Sequence, residues 1–387
     1  MSALLDAASL RVHYKAFLAS GRVLLTGHSH QGWPDVAREG VIAAWEDAAA
    51  HVDDKWGAAF AQADALRQGV ADRIGGAAED VALGANTHEL VTRFLSALDL
   101  GKRPRLVTTS GEFHSMDRQL RRLAEEGVEV VFVDALPVST LAERLAAAVD
   151  EKTAAVLAST VLFETSTRVP HLAAVTAAAH RVGAQVLFDG YHAFNVVPEK
   201  LADFGPEPFF YVAGGYKYAQ WGEGCCFLRV PPTTELRPVF TGWFSDFEHL
   251  EGPRSSAIGY GSRGADRFAG ATYDPTSHYR GARVCRFFDE HGLDVARLRQ
   301  LSLRQTGRIL RGLEGYDVLT PREDAGRGGF VSLRVAQAGA VVSALRDDGI
   351  SCDARGDVLR FGPAPYVTDD EIDRALEALR RIAPAAP

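Results

Sequence analysis

The feature that most limits what this chain can fold into is an alternation through its middle. Short apolar, β-rich runs are separated by amphipathic, helix-forming ones. RLVTTS (105–110) precedes DRQLRRLAEEG, VEVVFVD (128–134) precedes TLAERLAAAVDEK, and AAVLAST (154–160) precedes HLAAVTAAAHRVG. AQVLFDG (184–190), FFYVAGG (209–215) and CCFLRV (225–230) follow. Runs that are apolar at consecutive positions suit strands buried on both faces, and intervening helices make βαβ units around a largely parallel sheet. Gly127 and Gly183 mark the ends of two of the helices.

The two ends of the chain read differently. Residues 1 to about 60 are mainly helical in pattern, with a loop at TGHSHQGWPDV (26–36). Towards the other end, residues 287–313 have helical periodicity, GGFVSLRV (328–335) and DVLRFGP (357–363) read as strands, and Thr368 opens a capped helix over 368–382. The expected organisation is an N-terminal helical segment (1–25), a large α/β domain (26–275) and a small C-terminal α+β domain (276–387).

Composition narrows the functional classes. The 387 residues carry a formal charge of -8, with 47% hydrophobic and 24% charged residues. No basic stripe suggests nucleic acid, and an acidic surface is ill suited to anionic membranes. No apolar run reaches the ~18 residues of a membrane span. The N-terminus lacks a basic stretch followed by an apolar one, so no signal peptide is expected. The cysteines include an adjacent pair, Cys225 and Cys226, with neither metal spacing nor a CxxC pattern. They read as reduced thiols of a cytoplasmic protein without a metal site.

Two residues then stand out. Asp189 ends the apolar run VLFD, and Lys217 follows the run FFYVAGG, 28 residues further on (217 − 189). In parallel α/β sheets, ligands gather at the carboxyl ends of strands. A lysine among glycines and aromatics is partly desolvated there, which lowers its pKa and makes its amine a nucleophile. Each residue alone has a bland reading, as a helix cap or a surface charge. Together they match what pyridoxal phosphate needs: a lysine for its carbonyl carbon and a carboxylate for its ring nitrogen.

FDGYHAFNVVP followed by GGYKYAQWGEGCCFL resembles the cofactor segment of the class V aminotransferase superfamily of pyridoxal-phosphate enzymes. Within it the chain is most similar to kynureninases, which have His at position 192 and Tyr at 216 where desulfurases have Gln and His. The resemblance covers roughly residues 25 to 380. It implies a pyridoxal-phosphate-dependent transferase type I fold, and a homodimer whose sites are shared between subunits. It assigns Lys217 to the cofactor carbon, Asp189 to the ring nitrogen, His192 to the ring oxygen or phosphate, and Tyr216 to the phosphate.

Further positions follow from the same resemblance. GANTHELV supplies Thr87 and His88 as a phosphate turn at a helix start, where Asn86 or Thr87 would otherwise serve as a simple cap. In GEFHSMD an aromatic ring is expected over the cofactor. Alignment on Asp117 selects His114 and alignment on Glu112 selects Phe113, and His114 is preferred because an imidazole there could also move protons. Phe163 and Thr165 fall near the ring. TGWF (241–244) matches the kynureninase Gly-Trp-Phe motif, with Trp243 at the phosphate, and Thr272 is expected to reach the partner subunit's phosphate. Arg360, in DVLRFGPAPY, matches the arginine that takes the substrate α-carboxylate through a two-pronged contact, with Arg355 the weaker choice.

The chain departs from the kynureninase pattern where the substrate side chain would lie. Ser245 and Asp246 follow Phe244 in place of a histidine, and Ala271-Thr272-Tyr273 replaces a Pro-Pro stretch. Gly27-His28-Ser29-His30 stands where kynureninases have Gly-Asn-Ser-Leu, so His28, Ser29, His30 and Tyr273 are expected to line an altered pocket. Cys352 lies eight residues before Arg360 (360 − 352), but the desulfurase Gly-His-His-Cys loop is missing and it reads as structural. The implied activity is kynureninase-like cleavage of an α-amino acid between Cβ and Cγ, giving alanine and an aryl acid. An aminotransferase, an epimerase or a C–S lyase are the alternatives, and a non-catalytic protein of this fold is a third reading.

Overall fold

A computed structural model describes residues 4–249 and 257–385. The expected outer domain bounds at residues 1 and 387 lie outside the described residues. In chain order the strands are β1 (Val23–Leu24), β2 (Val81–Gly84), β3 (Arg105–Thr109), β4 (Glu129–Val133), β5 (Thr153–Ser159), β6 (Gln185–Asp189), β7 (Phe210–Gly214), β8 (Cys226–Arg229), β9 (Asp317–Val318), β10 (Val331–Arg334), β11 (Ile350–Ser351), β12 (Asp353–Arg355) and β13 (Val358–Phe361).

The large sheet has the order β2-β8-β7-β6-β5-β3-β4. Strands β3 to β7 run parallel, while β8 is antiparallel to both β7 and β2. The sheet is therefore mainly parallel with helices on both faces, as the sequence pattern implies. Alternate residues of β5 show why its sequence is continuously apolar. Val156 and Ala158 face one core with Val175 and Ala179 of the helix Ala173–Arg181. Ala155 and Leu157 face the other, with Leu90 and Phe94 of the helix Thr87–Ser96 and Leu120 of the helix His114–Glu125. Strand β2 is not anticipated from the sequence: at four residues, VALG gives too short a run to separate from the turn that follows.

The smaller antiparallel sheet, β12-β13-β10-β9, packs against the helices Ala338–Asp347 and Val295–Gly312, and the helix Asp369–Ile382 lies against those two helices. The Thr368 cap is present and reciprocal: its Oγ1 accepts from Glu371 N–H at 3.3 Å, and Glu371 Oε2 accepts from Thr368 N–H at 3.0 Å. The helix expected over 287–313 is instead two, Thr276–Glu290 and Val295–Gly312. Asp294 ends the break by accepting a hydrogen bond from Arg297 N–H at 2.8 Å, a local bond that outcompetes helical continuation through His291 and Gly292.

The first residues are less helical than expected. Only short helices (Ala7–Leu10, Lys15–Leu18) precede β1, which pairs in parallel with β11. Beyond β1, Gly27 N–H donates to Gly362 O and Gly362 N–H donates to Leu25 O, both at 2.7 Å. An N-terminal arm is thus tied to the C-terminal strands. Among the described residues, no helix is long and apolar enough to cross a membrane, and no group of three or more metal-binding side chains occurs.

Candidate active site

The parallel strands end along one edge of the large sheet, and the side chains singled out above collect there. Asp189 is the last residue of β6, and Lys217 lies three residues past β7. The loop carrying the lysine is pinned by amides: Asn195 Nδ2 donates to Tyr218 O at 2.8 Å, and Gln220 Nε2 donates to Gln31 Oε1 at 2.8 Å. Tyr14 Oη completes the anchor by donating to Gln220 Oε1 at 2.7 Å. The N-terminal arm therefore supports the lysine loop directly.

Lys217 is buried at 3% exposure, with Nζ 2.7 Å from His192 Nε2. The rings of Tyr191, Phe113 and Tyr216 surround Nζ at 4.7, 5.2 and 5.7 Å. Burial lowers the lysine pKa to about 7, against the pull of Asp189 and with the push of Arg360. Burial also raises the Asp189 pKa, opposed by the Tyr191 N–H bonded to its Oδ1 at 2.8 Å and by Lys217. His192 is driven well below the usual imidazole range by burial and by the Lys217 charge. The pocket thus penalises isolated charge and holds an amine available as a nucleophile near neutral pH.

Arg360 reaches the same pocket from β13. It is 3% exposed, and Asp353 grips one edge of its guanidinium: Nε donates to Oδ1 at 2.9 Å and Nη2 to Oδ2 at 2.5 Å. Its Nη1 donates to Phe163 O at 2.9 Å. His28 Nε2 meets the same Asp353 Oδ1 at 2.7 Å, and the His28 ring stacks on Phe330. The paired Arg360 and His28 hold the Asp353 carboxyl well below the usual carboxylate range, although its burial acts the other way. Arg355 is exposed and lies 3.8 Å from Asp353 Oδ2.

Of the two aromatics after β3, Phe113 faces the lysine amine, while His114 is exposed and packs at 5.6 Å from Phe163. Thr87 and His88 open the helix Thr87–Ser96, capped by Asn86 accepting from Glu89 N–H at 2.8 Å. Thr87 N–H points at Cys226, whose Sγ is 3.6 Å from Tyr191 Oη, so this helix start adjoins the lysine pocket. His88 is exposed. Thr165 bonds Thr167 at 2.8 Å. Ser29 Oγ donates to Thr26 O at 3.0 Å, and His30 stacks on Tyr216 at 4.8 Å while pairing with Glu223.

Trp243, Thr272 and Tyr273 lie elsewhere. Together with Phe60, Arg67, Arg93 and Phe244, Thr272 and Tyr273 line a cleft of about 1050 Å³, whose wall at Gly84 and Ala85 reaches the turn before Thr87. Trp243 is 43% exposed and stacks on Phe244 at 4.4 Å. Tyr191, Phe330 and Asp353 were not singled out from the sequence. For Asp353 a signal existed: Gly356-Asp357 is a two-residue hairpin turn, which sets Asp353 directly opposite Arg360.

Comparison with known proteins finds likenesses of sequence and of fold. The kynureninase C-terminal domain family model matches residues 297–379. Kynureninase of Pseudomonas fluorescens is 28% identical over 403 residues, spanning 94% of this chain and 90% of that one. Kynureninase of Geobacillus thermodenitrificans is 26% identical over 344 residues, spanning 81% and 76%. A solved structure of a C-DES mutant with glycine covalently linked to its PLP cofactor superposes with a TM-score of 0.83 at 20% identity, covering 95% of this chain and 98% of that one, a likeness of fold. The chain is thus similar in sequence to kynureninases and shares its fold with pyridoxal-phosphate enzymes of the class V kind.

Proposed function

We propose that the chain is a pyridoxal-phosphate enzyme acting on an α-amino acid, and that it hydrolyses a Cβ–Cγ bond in the manner of kynureninase, releasing alanine and an aryl acid. The observation that carries the reading is the buried Lys217 amine, with a pKa near 7, in one pocket with Asp189, His192 and the Arg360 guanidinium.

The donor set fits the cofactor. Lys217 Nζ would hold its carbonyl carbon, Asp189 its ring nitrogen, Phe113 one ring face, and Tyr216 with the Thr87 helix start its phosphate. When bound, pyridoxal phosphate supplies an electron sink for charge developing at the substrate α-carbon. The chain's own residues do the rest. Arg360 orients the substrate by its α-carboxylate, so that the bond to be broken stands in a fixed direction. An amine with a pKa near 7 is largely unprotonated just above neutrality, so Lys217 Nζ can accept the α-proton. His192, kept neutral by burial, can pass a proton to or from that amine over 2.7 Å. The rings of Phe113, Tyr191 and Tyr216 exclude water around Nζ.

A homodimer belongs to the same reading. The cleft holding Thr272 is walled by Phe60, Phe244, Phe247 and Tyr273 and carries Arg67 and Arg93, and Trp243 stands 43% exposed against Phe244. Aromatic side chains beside paired charges, Arg67 with Asp64 and Arg93 with Glu89, suit a second copy of the chain, whose cofactor phosphate Thr272 would approach.

The test is direct. Protein supplied with pyridoxal phosphate and L-kynurenine should release anthranilate, read by its fluorescence, and Lys217→Ala should abolish release. A protein that binds the cofactor yet yields no anthranilate would exclude kynurenine. Keto-acid-dependent turnover would then identify an aminotransferase.

A further inference from the structure

We propose that Asp353 and His28 are positioning residues for Arg360, presetting its guanidinium so that a substrate α-carboxylate is received on the donors they leave open. The inference rests on the amino-acid reading above.

A guanidinium has five N–H donors. Here three are engaged, two by Asp353 and one by Phe163 O, so two remain on Nη1 and Nη2. The carboxylate of Asp353 is fixed by the backbone, because β12 and β13 pair with Asp353 directly opposite Arg360. It is fixed a second time by His28. Asp353 is ionised and can only accept, so His28 Nε2 carries the proton and donates to Oδ1. That leaves Nδ1 of a residue only 1% exposed as an unprotonated atom with no hydrogen-bond partner. The His28 ring stacks on Phe330, at 4.7 Å and 25° from parallel, and its Nδ1 lies close against Gly362. The chain His28–Asp353–Arg360 thus runs from the N-terminal arm to the carboxylate site.

Its electrostatic effect is specific. A buried guanidinium without an anion would be costly and would swing to find one. Asp353 compensates the charge before any ligand arrives, and saturates one edge of the fork. An incoming carboxylate can then accept from both open N–H groups, whereas an amide offers one oxygen and would turn its own N–H towards the other donor, so the acid is favoured in that place.

The experiment compares L-alanine with L-alaninamide, titrated against the cofactor-loaded protein and read by the change in its visible absorption. In the native protein the acid should bind more tightly than the amide. Asp353→Asn should weaken the acid by about tenfold or more while leaving the amide and the cofactor's own affinity unchanged, so that the acid-to-amide ratio falls by the same factor. His28→Leu should act in the same direction, and His28→Gln, whose Nε2 can still donate to Asp353, should restore the ratio. This pair decides the matter alone if Asp353→Asn does not fold. A ratio unchanged in both Asp353→Asn and His28→Leu overturns the proposal, since a merely structural role lowers stability without altering acid-over-amide preference. Tighter binding of L-alanine to Asp353→Asn also overturns it, by showing that Asp353 competes with the ligand. Native protein that develops no visible band with pyridoxal phosphate overturns the amino-acid reading itself, and the inference with it.

Discussion

Lys217 Nζ and His192 Nε2 meet at 2.7 Å, and burial drives both groups towards their neutral forms. In water this contact would join two competitors for protons, each satisfied by solvent. Behind Phe113, Tyr191 and Tyr216 it becomes a hydrogen bond through which one proton can be shared, next to the Asp189 carboxyl that the same burial pushes up.

The lysine leaves a signature in stability without any added cofactor. Its folded pKa of about 7 lies below the ordinary lysine value of 10.5, so the unfolded chain binds the extra proton between those values. Stability should therefore rise with pH from about 7 towards 10.5, and be lost as pH falls through 7. Lys217→Met should flatten this rise and be more stable than the native protein at pH 7 and below. Denaturant unfolding at a series of pH values checks the point, and parallel curves for the two proteins would contradict it.

Glu112 should behave in the opposite sense. It is buried beneath the site, where its oxygens accept from Thr109 Oγ1 at 2.7 Å, Ser159 N–H at 3.0 Å and Ser159 Oγ at 2.6 Å. Burial outweighs these bonds and raises its pKa from 4.5 to about 7. Its contribution is fully present below pH 4.5 and is lost as pH rises through 7. Glu112→Gln can keep both acceptor bonds on its oxygen and donate to Ser159 Oγ. It should match the native protein near pH 4.5 and exceed it at pH 8 by on the order of 2 kcal/mol. The same unfolding series measures this.

The two rings after β3 can be separated by affinity. Phe113 faces Nζ at 5.2 Å, whereas His114 is exposed. If Phe113 is the ring on the cofactor face, Phe113→Leu should weaken pyridoxal phosphate by about three- to tenfold, the worth of an aromatic stack beyond its area. His114→Ala should change it by less than about twofold. Fluorescence titration with pyridoxal phosphate decides between them, and the reverse order would give the ring to His114.

The sequence was most informative where one physical demand acted on consecutive residues. Strand β5 is buried over its whole length, so AAVLAS could hardly be anything but an inner strand. Asp189 and Lys217 were visible because each is a charge at the end of such a run. The clamp on Arg360 was harder to see, since it depends on pairing between residues seven apart and on His28, 325 residues from Asp353. The run CCFLRV marks strand β8, but its reversed direction leaves no trace in periodicity, because direction is set by connections and not by side-chain pattern. The break at Asp294 was concealed by strong helical periodicity on both sides of it.

Cys352 offers a test of the reaction class. It is 5% exposed, and burial pushes its thiol up to about 12. A sulfur acceptor must be an accessible thiolate, so this residue is poorly made for the role. Cys352→Ala should retain anthranilate release within about twofold, allowing for the small cost of losing a buried sulfur. Loss of all turnover, with stability and cofactor binding intact, would instead assign the cysteine a chemical role.

Gly362 should be the most sensitive glycine around the carboxylate clamp. A Cβ there would stand 2.3 Å from His28 Nδ1 and 2.7 Å from His28 N. The glycine cannot retreat, because its N–H and its carbonyl are both bonded to the N-terminal arm, to Leu25 O and from Gly27 N–H, at 2.7 Å each. Gly362→Ala must therefore push His28 away from Asp353 or detach the arm, costing about 1–3 kcal/mol or more. Gly339, in the helix Ala338–Asp347, is the control: a Cβ there meets nothing within 4 Å, and Gly339→Ala should gain up to about 1 kcal/mol. The useful comparison goes beyond stability. Because the same displacement that strains Gly362→Ala also moves His28, this variant should lose preference for L-alanine over L-alaninamide even at temperatures where it is fully folded. Gly339→Ala should keep it. Equal preference in the two folded variants would mean that the arm adapts around the new methyl group without disturbing the clamp.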